Sequence, residues 1–289
     1  MIIFITYSND LYSESRDYCL KMAIKKGKAD RAIAYRPEDI DSHFREAHSN
    51  ILNQKTGNGL WLWKPYFLCK TLDEEANSGD IVLYCDAGSY FFRNCKPIIA
   101  SMKDQDVWVS NIPLIEKQFT KPELFDSMRC VGEKFEDTNQ VQGNFIAIRK
   151  TEKGVAFARE WFRLCCNIEN IGDKSIDKKR RNELDFTFLG HRYDQSILSL
   201  LSKKEGIKIH LDPSQYGRIP IKYYSSGRLF KAPDNYGEYA PSIILHRGRK
   251  PEFGTCLNQW LSCWLPKAIL KRTVRGYKLF EHDKRSFRL

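Results

Sequence analysis

Over its first 111 residues the chain alternates short, β-branched apolar runs with stretches of helical spacing. That alternation restricts the fold more than any other feature. "IIFITY" reads as a strand, and "SRDYCLKMAIKKG" as an amphipathic helix closed by Gly27. "RAIAYRP" is a second short strand, and "PEDIDSHFREAHSNIL" has helical spacing. "GNGLWLWKP" is a glycine-rich turn that brings Pro65 to the first position of a helix running through "YFLCKTLDEEAN". The strand "DIVLYCD", a helix near "CKPIIASMK" and the strand "DVWVSNIP" follow. Strands that alternate with helices predict an α/β sheet with parallel crossovers.

After Asn111 the pattern loosens. "QVQGNFIAIRK" reads as one strand. "TEKGVAFAREWFRLCCN" is a helix with Val155, Phe157, Ala158, Trp161, Phe162 and Leu164 on its apolar side. "IENIGDKSIDKKRRNELDF" is polar and poorly periodic, the pattern of a surface loop. "YDQSILSLLSKKEG" is a further helix, and "PSIILHRGRKP" is a strand running into a basic loop.

At 289 residues, 42% hydrophobic and 29% charged, the chain has ample material for a core. No run approaches the ~20 apolar residues of a membrane span, and "MIIFITYSND" lacks the basic start of a signal peptide. The nine cysteines form no CxxC pair and no zinc spacing, which points to buried free thiols in a reducing cytoplasm. A net charge of +11 suits nucleic acid, anionic lipid or phosphorylated ligands, and no recognisable nucleic-acid motif accompanies it.

Ligands of open α/β sheets collect at the carboxyl ends of strands. "TYSND", "CDAGS", "QGN" and "HRGRK" all stand at or beside such ends, so they can share one crevice. Asp86 is the most demanding of these residues. It ends a strand that should stay dry, and an unpaired buried carboxylate would cost several kcal/mol. It needs a cation, a hydroxyl or a backbone donor, and Ala87 and Gly88 leave room for one.

A strand ending in Asp-Ala-Gly, a later "DQS" opening a helix, and "HRGRKP" near the end resemble the three marks of nucleotide-sugar glycosyltransferases. The likeness is to the retaining galactosyltransferase and glycogenin type. "WLWKPY", "YCDAG" and "HRYDQSILSLL" are also similar to bacterial transferases that build capsule and O-antigen chains. The resemblance implies a GT-A-like, Rossmann-type mixed α/β sheet flanked by helices over residues 1–250. A basic, aromatic-rich extension, 251–289, would follow this single domain. The implied activity is hexose transfer from a nucleotide-diphosphate sugar to a surface polysaccharide or lipid-linked glycan, with retention. A sugar-phosphate transferase on similar donors and a non-enzymatic nucleic-acid or anionic-surface binding protein are the alternatives.

The same resemblance implies roles for single residues. Asp86 takes the first carboxylate of the family's Asp-X-Asp pair, and Gly88 stands where the second would be. Mn²⁺ or Mg²⁺ would then be held weakly, by Asp86 and His246, or not needed. Lys250 contacts the diphosphate, with Arg247 and Arg249 beside it to offset the leaving group's charge. Gln195 lies near the anomeric carbon and Asp194 on a sugar hydroxyl, with His191 and Arg192 adding polar groups. Asp194 reads equally well as a helix N-cap. Asn144 lines the donor sugar beside Gly143, and Thr6 and Tyr7 hold base and ribose. Lys64 would bind phosphate at a helix start, and Trp61 and Trp63 serve as a sugar platform or as core.

From Pro266 to Leu289 there are eight Lys/Arg against two acids, interleaved with Trp-, Leu- and Phe-rich sequence just before and within the segment. That is the composition of an interfacial segment on anionic lipid, or of a terminal helix with a solvated basic face. The expected location is the cytoplasm, peripherally on the inner face of the cell membrane, with no nucleic-acid partner.

Overall fold

A computed structural model describes residues 1–173, 188–218, 229–230, 239–263 and 278–279. The polar stretch expected as a loop (174–187) and most of the basic tail lie outside the described residues.

The central sheet begins with β1 (Ile2–Tyr7), all six of whose residues are buried. Its parallel neighbours are β2 (Arg31–Tyr35) and β3 (Ile81–Cys85), in register Ile5 to Ile33 and Ile5 to Tyr84. A strand covered on both faces carries an unbroken apolar run, as "IIFITY" does. The side-chain period of two then sorts residues between two cores. Ile3, Ile5, Val82 and Tyr84 join one core, and Phe4, Leu83 and Cys85 the other.

Beyond β3 the sheet turns antiparallel. β4 (Ser89–Phe91) leaves it, and β5 (Val107–Ile115) returns to it. The expected single strand over 140–150 is two, β6 (Asn139–Val141) and β7 (Phe145–Arg149), broken at Gln142-Gly143-Asn144. β7 pairs antiparallel with both β3 and β5. β8 (Ile209–His210) and β9 (Leu229–Phe230) also pair with β5, and β11 (Lys278–Leu279) pairs with β9. The seven-strand path is therefore β2-β1-β3-β7-β5-β9-β11. The parallel crossovers expected from the sequence hold for β2-β1-β3, and the whole is a mixed sheet flanked by helices. β10 (Ile243–Leu245) pairs antiparallel with β4 in a small second sheet.

Helices cover both faces. α1 (Ser13–Met22) packs Cys19 against the core that holds Phe4. The expected helix over 37–52 is broken, because the Asp41 carboxylate accepts from Phe44 N at 2.9 Å and starts a fresh helix, α2 (Ser42–Ala47). α3 (Trp63–Glu74) buries Phe67, Leu68 and Leu72. α4 (Glu152–Cys165) buries Phe157, Ala158 and Trp161, with Val155, Phe162 and Leu164 partly buried beside them. α5 (Tyr193–Lys204) buries Ile197, Leu198, Leu200 and Leu201. α6 (Phe253–Ser262) follows β10. Seven of the nine cysteines are buried and all are free. No helix among the described residues is long and apolar enough to cross a membrane.

The order β2-β1-β3 places β1 between its two successors. The connections from β1 and to β3 diverge there, and a crevice opens at the strands' carboxyl ends.

Gly154 seats α4 against the end of β7, where an added Cβ would lie 2.1 Å from the Arg149 carbonyl oxygen. Alanine gains about 1 kcal/mol of helix propensity over glycine, but relieving that overlap costs about 1–3 kcal/mol. Gly154→Ala should therefore destabilise the protein in urea unfolding; an unchanged or raised midpoint would show that α4 can shift freely.

Candidate functional site

The crevice is a cavity of about 630 Å³. It is walled by Tyr7, Ser8 and Asn9 after β1, by Asp86, Ala87 and Gly88 after β3, and by Gln142 and Asn144 from the β6–β7 break. Arg192 and Gln195 at the start of α5, and Arg247 after β10, complete it. Five segments far apart in sequence thus meet, four of them through residues at the strand ends that led one to expect it.

Asp86 is the first residue past the buried strand and is not itself buried, with 42% of its side chain exposed on the cavity. Tyr84 Oη donates to its Oδ1 at 2.5 Å, and the Lys64 ammonium stands 3.7 Å away. The hydroxyl and the cation that the sequence demanded are both present. At Gly88 a second carboxylate would be crowded, since a Cβ would lie 3.2 Å from Arg247 Cα and the Arg247 backbone would have to give by a few tenths of an ångström. Arg247 N donates to the Gly88 carbonyl at 2.9 Å, which fixes that approach.

Lys64 is not placed as a phosphate ligand. α3 begins one residue earlier, so Lys64 lies within its first turn, and its side chain turns into the wall. The residue is 3% exposed. Its Nζ donates to Gly143 O at 2.7 Å and pairs with Asp194 Oδ2 at 2.9 Å. Burial alone would lower the ammonium's pKa, but Asp194 and Asp86 together hold it above its ordinary value. Asp194 is not a helix cap: α5 starts at Tyr193, Arg192 takes the cap position, and no side chain caps it. Burial pushes the Asp194 carboxyl up to about 6 against the pull of Lys64. Gly143 lets the three groups meet, since a Cβ there would lie 3.2–3.4 Å from Gln195 Cβ, Asp194 Oδ2 and Lys64 Nζ.

The glycine-rich turn is left-handed for five consecutive residues, Gly57 to Trp61, with φ of 59°, 54°, 98°, 52° and 62°. Left-handed backbone costs a β-carbon-bearing residue about 1–2 kcal/mol. A Cβ on Gly57 would strike the Trp61 ring at 2.2 Å. Trp63 Nε1 donates to Gly57 O at 2.9 Å, and Asn58 Nδ2 donates to Tyr7 Oη. Trp63 stacks on Tyr7 with ring centroids 3.9 Å apart. It is therefore core with an edge on the cavity, and Trp61, half-buried and packed on Tyr193, lines the cavity as well. Lys55 and Asn58 also line the cavity, and sequence reasoning missed both. The asparagine between two glycines was the available signal.

Other expected residues divide. Asn144 faces the cavity, and its buried Oδ1 has no hydrogen-bond partner among the described residues. Arg192 lies over the Phe119 ring at 4.4 Å and Arg247 over Tyr216 at 4.9 Å. Thr6 is fully buried and off the cavity, because it faces the opposite side of β1 from Tyr7. His191 is also off it: its Nε2 meets Asn170 O at 3.1 Å, and burial with the nearby Lys121 cation pushes it down to about 3. His246, Arg249 and Lys250 line a different cavity of about 600 Å³, beside Asp10 and Glu14. Asp86 and His246 thus line separate cavities. Among the described residues no group of three or more His, Cys, Asp or Glu could hold a metal ion. One carboxylate facing Lys55, Arg192 and Arg247 is a poor donor set for a protein-held divalent cation.

No protein-family model matches the chain, and no curated protein matches it by sequence. Among solved structures it is similar to the galactosyltransferase LgtC in complex with donor and acceptor sugar analogs, at 13% identity and TM-score 0.45, over 96% of this chain and 98% of that one. It is similar to mouse xyloside xylosyltransferase 1 at 9% identity and TM-score 0.45, over 87% and 100% of the two chains. The glycosyltransferase GlyE of Streptococcus pneumoniae matches at 11% identity and TM-score 0.40, over 94% of this chain and 62% of its own.

The unfolded Asp194 carboxyl titrates near ~4 and the folded one at about 6. The folded chain therefore holds the extra proton in between. This group's contribution to stability falls as pH rises through that window and is level above it. Urea unfolding of wild type and Asp194→Asn should show the difference moving against wild type from about pH 4 to about 6; a constant difference would mean a carboxylate ionised throughout.

Proposed function

We propose that this protein is a glycosyltransferase that moves a hexose from a nucleotide-diphosphate sugar to an acceptor hydroxyl. One observation carries the reading: Asp86, Asn144 and Gln195 share a single strand-end cavity with the cations Lys55, Arg192 and Arg247 and the aromatic Tyr7. The aromatic end suits a nucleobase. The cations suit a diphosphate, whose charge rises as the glycosidic bond breaks and must be met by fixed positive groups. The amides and Asp86 suit sugar hydroxyls.

Retention is the stereochemistry favoured. Inversion would need a carboxylate as general base, and Asp194 sits behind Gly143 in its pair with Lys64 and does not line the cavity. The leaving phosphate then takes the acceptor's proton, and Asp194 acts by holding Lys64. No step is assigned to a metal.

A lipid-linked or surface glycan is the proposed acceptor, reached from the inner face of the membrane. α6 supports this reading. Phe253 is 82% exposed, and Leu257, Trp260 and Leu261 are exposed with it, spaced as one helical face. The stripe leads directly into the basic tail.

A thermal-shift screen against UDP-, GDP-, dTDP- and CMP-sugars, each with and without Mn²⁺, should raise Tm for one base by mass action. Asp86→Asn should keep the fold and lose most turnover. Silence across all four donors, or full turnover in that variant, would end the reading.

For the membrane, Phe253→Ser with Trp260→Ser should leave Tm in place and reduce co-sedimentation with anionic vesicles, more so at high salt. Equal sedimentation of variant and wild type would remove the membrane role of this face.

A further inference from the structure

Behind the cavity lies a buried polar chain that the proposed function does not use. Glu116 is completely buried at the end of β5, and its carboxylate receives four donors. Thr120 Oγ1 donates to Oε1 at 2.5 Å and Gln140 Nε2 at 3.2 Å, while Ser199 Oγ and Lys203 Nζ donate to Oε2. Lys203 is itself nearly buried, with 7% of its side chain exposed. Ser199 Oγ accepts in turn from Val141 N at 2.8 Å, which ties the group to β6. Gln140, also fully buried, passes the chain on: its Oε1 accepts from Gln195 Nε2 at 2.7 Å. Gln195 reaches the cavity, and its own Oε1 accepts from Gly143 N at 3.2 Å.

An amide's nitrogen and oxygen are told apart by their partners, and here both ends of the chain give the same answer. Glu116 and the Phe119 carbonyl only accept, so Gln140 must turn its nitrogen to them, at 3.2 and 3.3 Å. Its oxygen is then left for Gln195, which must answer with nitrogen. From the other end, Gly143 N only donates, so Gln195 must turn its oxygen to it. Rotating the Gln195 amide by half a turn would set like atoms against each other at two contacts, and rotating that of Gln140 at three.

We propose that Lys203, Glu116 and Gln140 are positioning residues. They lock the Gln195 amide so that it offers its second N–H to the ligand and keeps its carbonyl oxygen turned to Gly143. Gln195 therefore acts as a hydrogen-bond donor to a sugar or leaving-group oxygen, and not as a nucleophile or a base. The kinetic part of this inference rests on the glycosyltransferase reading; the orientation of the amide does not.

Two measurements on the full-length protein test it. Glutamine side-chain amide NMR spectra, with Gln195→Met locating the Gln195 signals, should show in wild type two well-separated, slowly exchanging protons. In Gln140→Met they should move towards the values of a free amide. Gln195 signals that resemble a free amide in wild type, or that do not move in Gln140→Met, would overturn the lock.

The second measurement is turnover with whichever donor binds. Glutamate at 195 offers only acceptors, so Gln195→Glu should lose about 100-fold in kcat, and Gln140→Met about tenfold, with donor KM moving less than about threefold. Gln195→Glu retaining wild-type kcat would overturn the donor role. Because residue 195 is on the cavity wall, this variant still decides if Gln140→Met does not fold. A wild-type protein that transfers no sugar would overturn the proposed function and leave the lock to the amide spectra.

Discussion

The ammonium of Lys64 has almost no access to water, and much of the site is arranged around that fact. A buried cation is tolerated only when its charge and its hydrogens are met, because stripping it of water costs several kcal/mol. Three separate segments meet it: the Gly143 carbonyl from the β6–β7 break, Asp194 from the first turn of α5, and Asp86 from the end of β3. Lys64 itself comes from the first turn of α3. One side chain thus ties two helices to two strand ends. Asp86 is left with its other oxygen on the cavity, and Gln195 is brought alongside by its neighbour in sequence.

Much of this was legible in the sequence. β1 and β3 announce themselves as unbroken apolar runs, and the polar residues after them had to gather at one end of the sheet. Tyr7, Asp86, Asn144, Arg192, Gln195 and Arg247 do so. What could not be read was direction. Lys64 was expected to face phosphate because it stands at a helix start, yet the carbonyl that captures it lies 79 residues away on a turn that reads as mid-strand. "HRGRKP" looked like one ligand set. The positive φ of 58° at Arg247 splits it, sending Arg247 to one cavity and His246 and Lys250 to another. Thr6 is a different kind of error, since strand alternation already said that it and Tyr7 cannot share a face.

The left-handed turn from Gly57 to Trp61 and the buried Glu116 chain reach the same end by different means. Both spend stability on rigidity near the ligand. The turn holds Asn58 on Tyr7 by backbone geometry that only glycine and asparagine adopt at little cost. The chain holds Gln195 by complementary donors and acceptors. Strained or charged arrangements of this kind persist where the surrounding structure over-determines them, and here each is braced by a core helix, α3 in one case and α5 in the other.

The pairing of β10 with β4 has a consequence for how the protein is made. Asp86 and Gly88 leave the ribosome early, but Arg247, whose backbone closes over Gly88, comes 159 residues later. Until then β4 has an open edge, and the cavity has a carboxylate facing solvent where a cation will stand. The parallel strands β2-β1-β3 lie within the first 85 residues, whereas the cavity wall is complete only once Arg247, in the last fifth of the chain, has been made. A chain that ends upstream of β10 lacks both the strand that pairs with β4 and the Arg247 wall of the cavity.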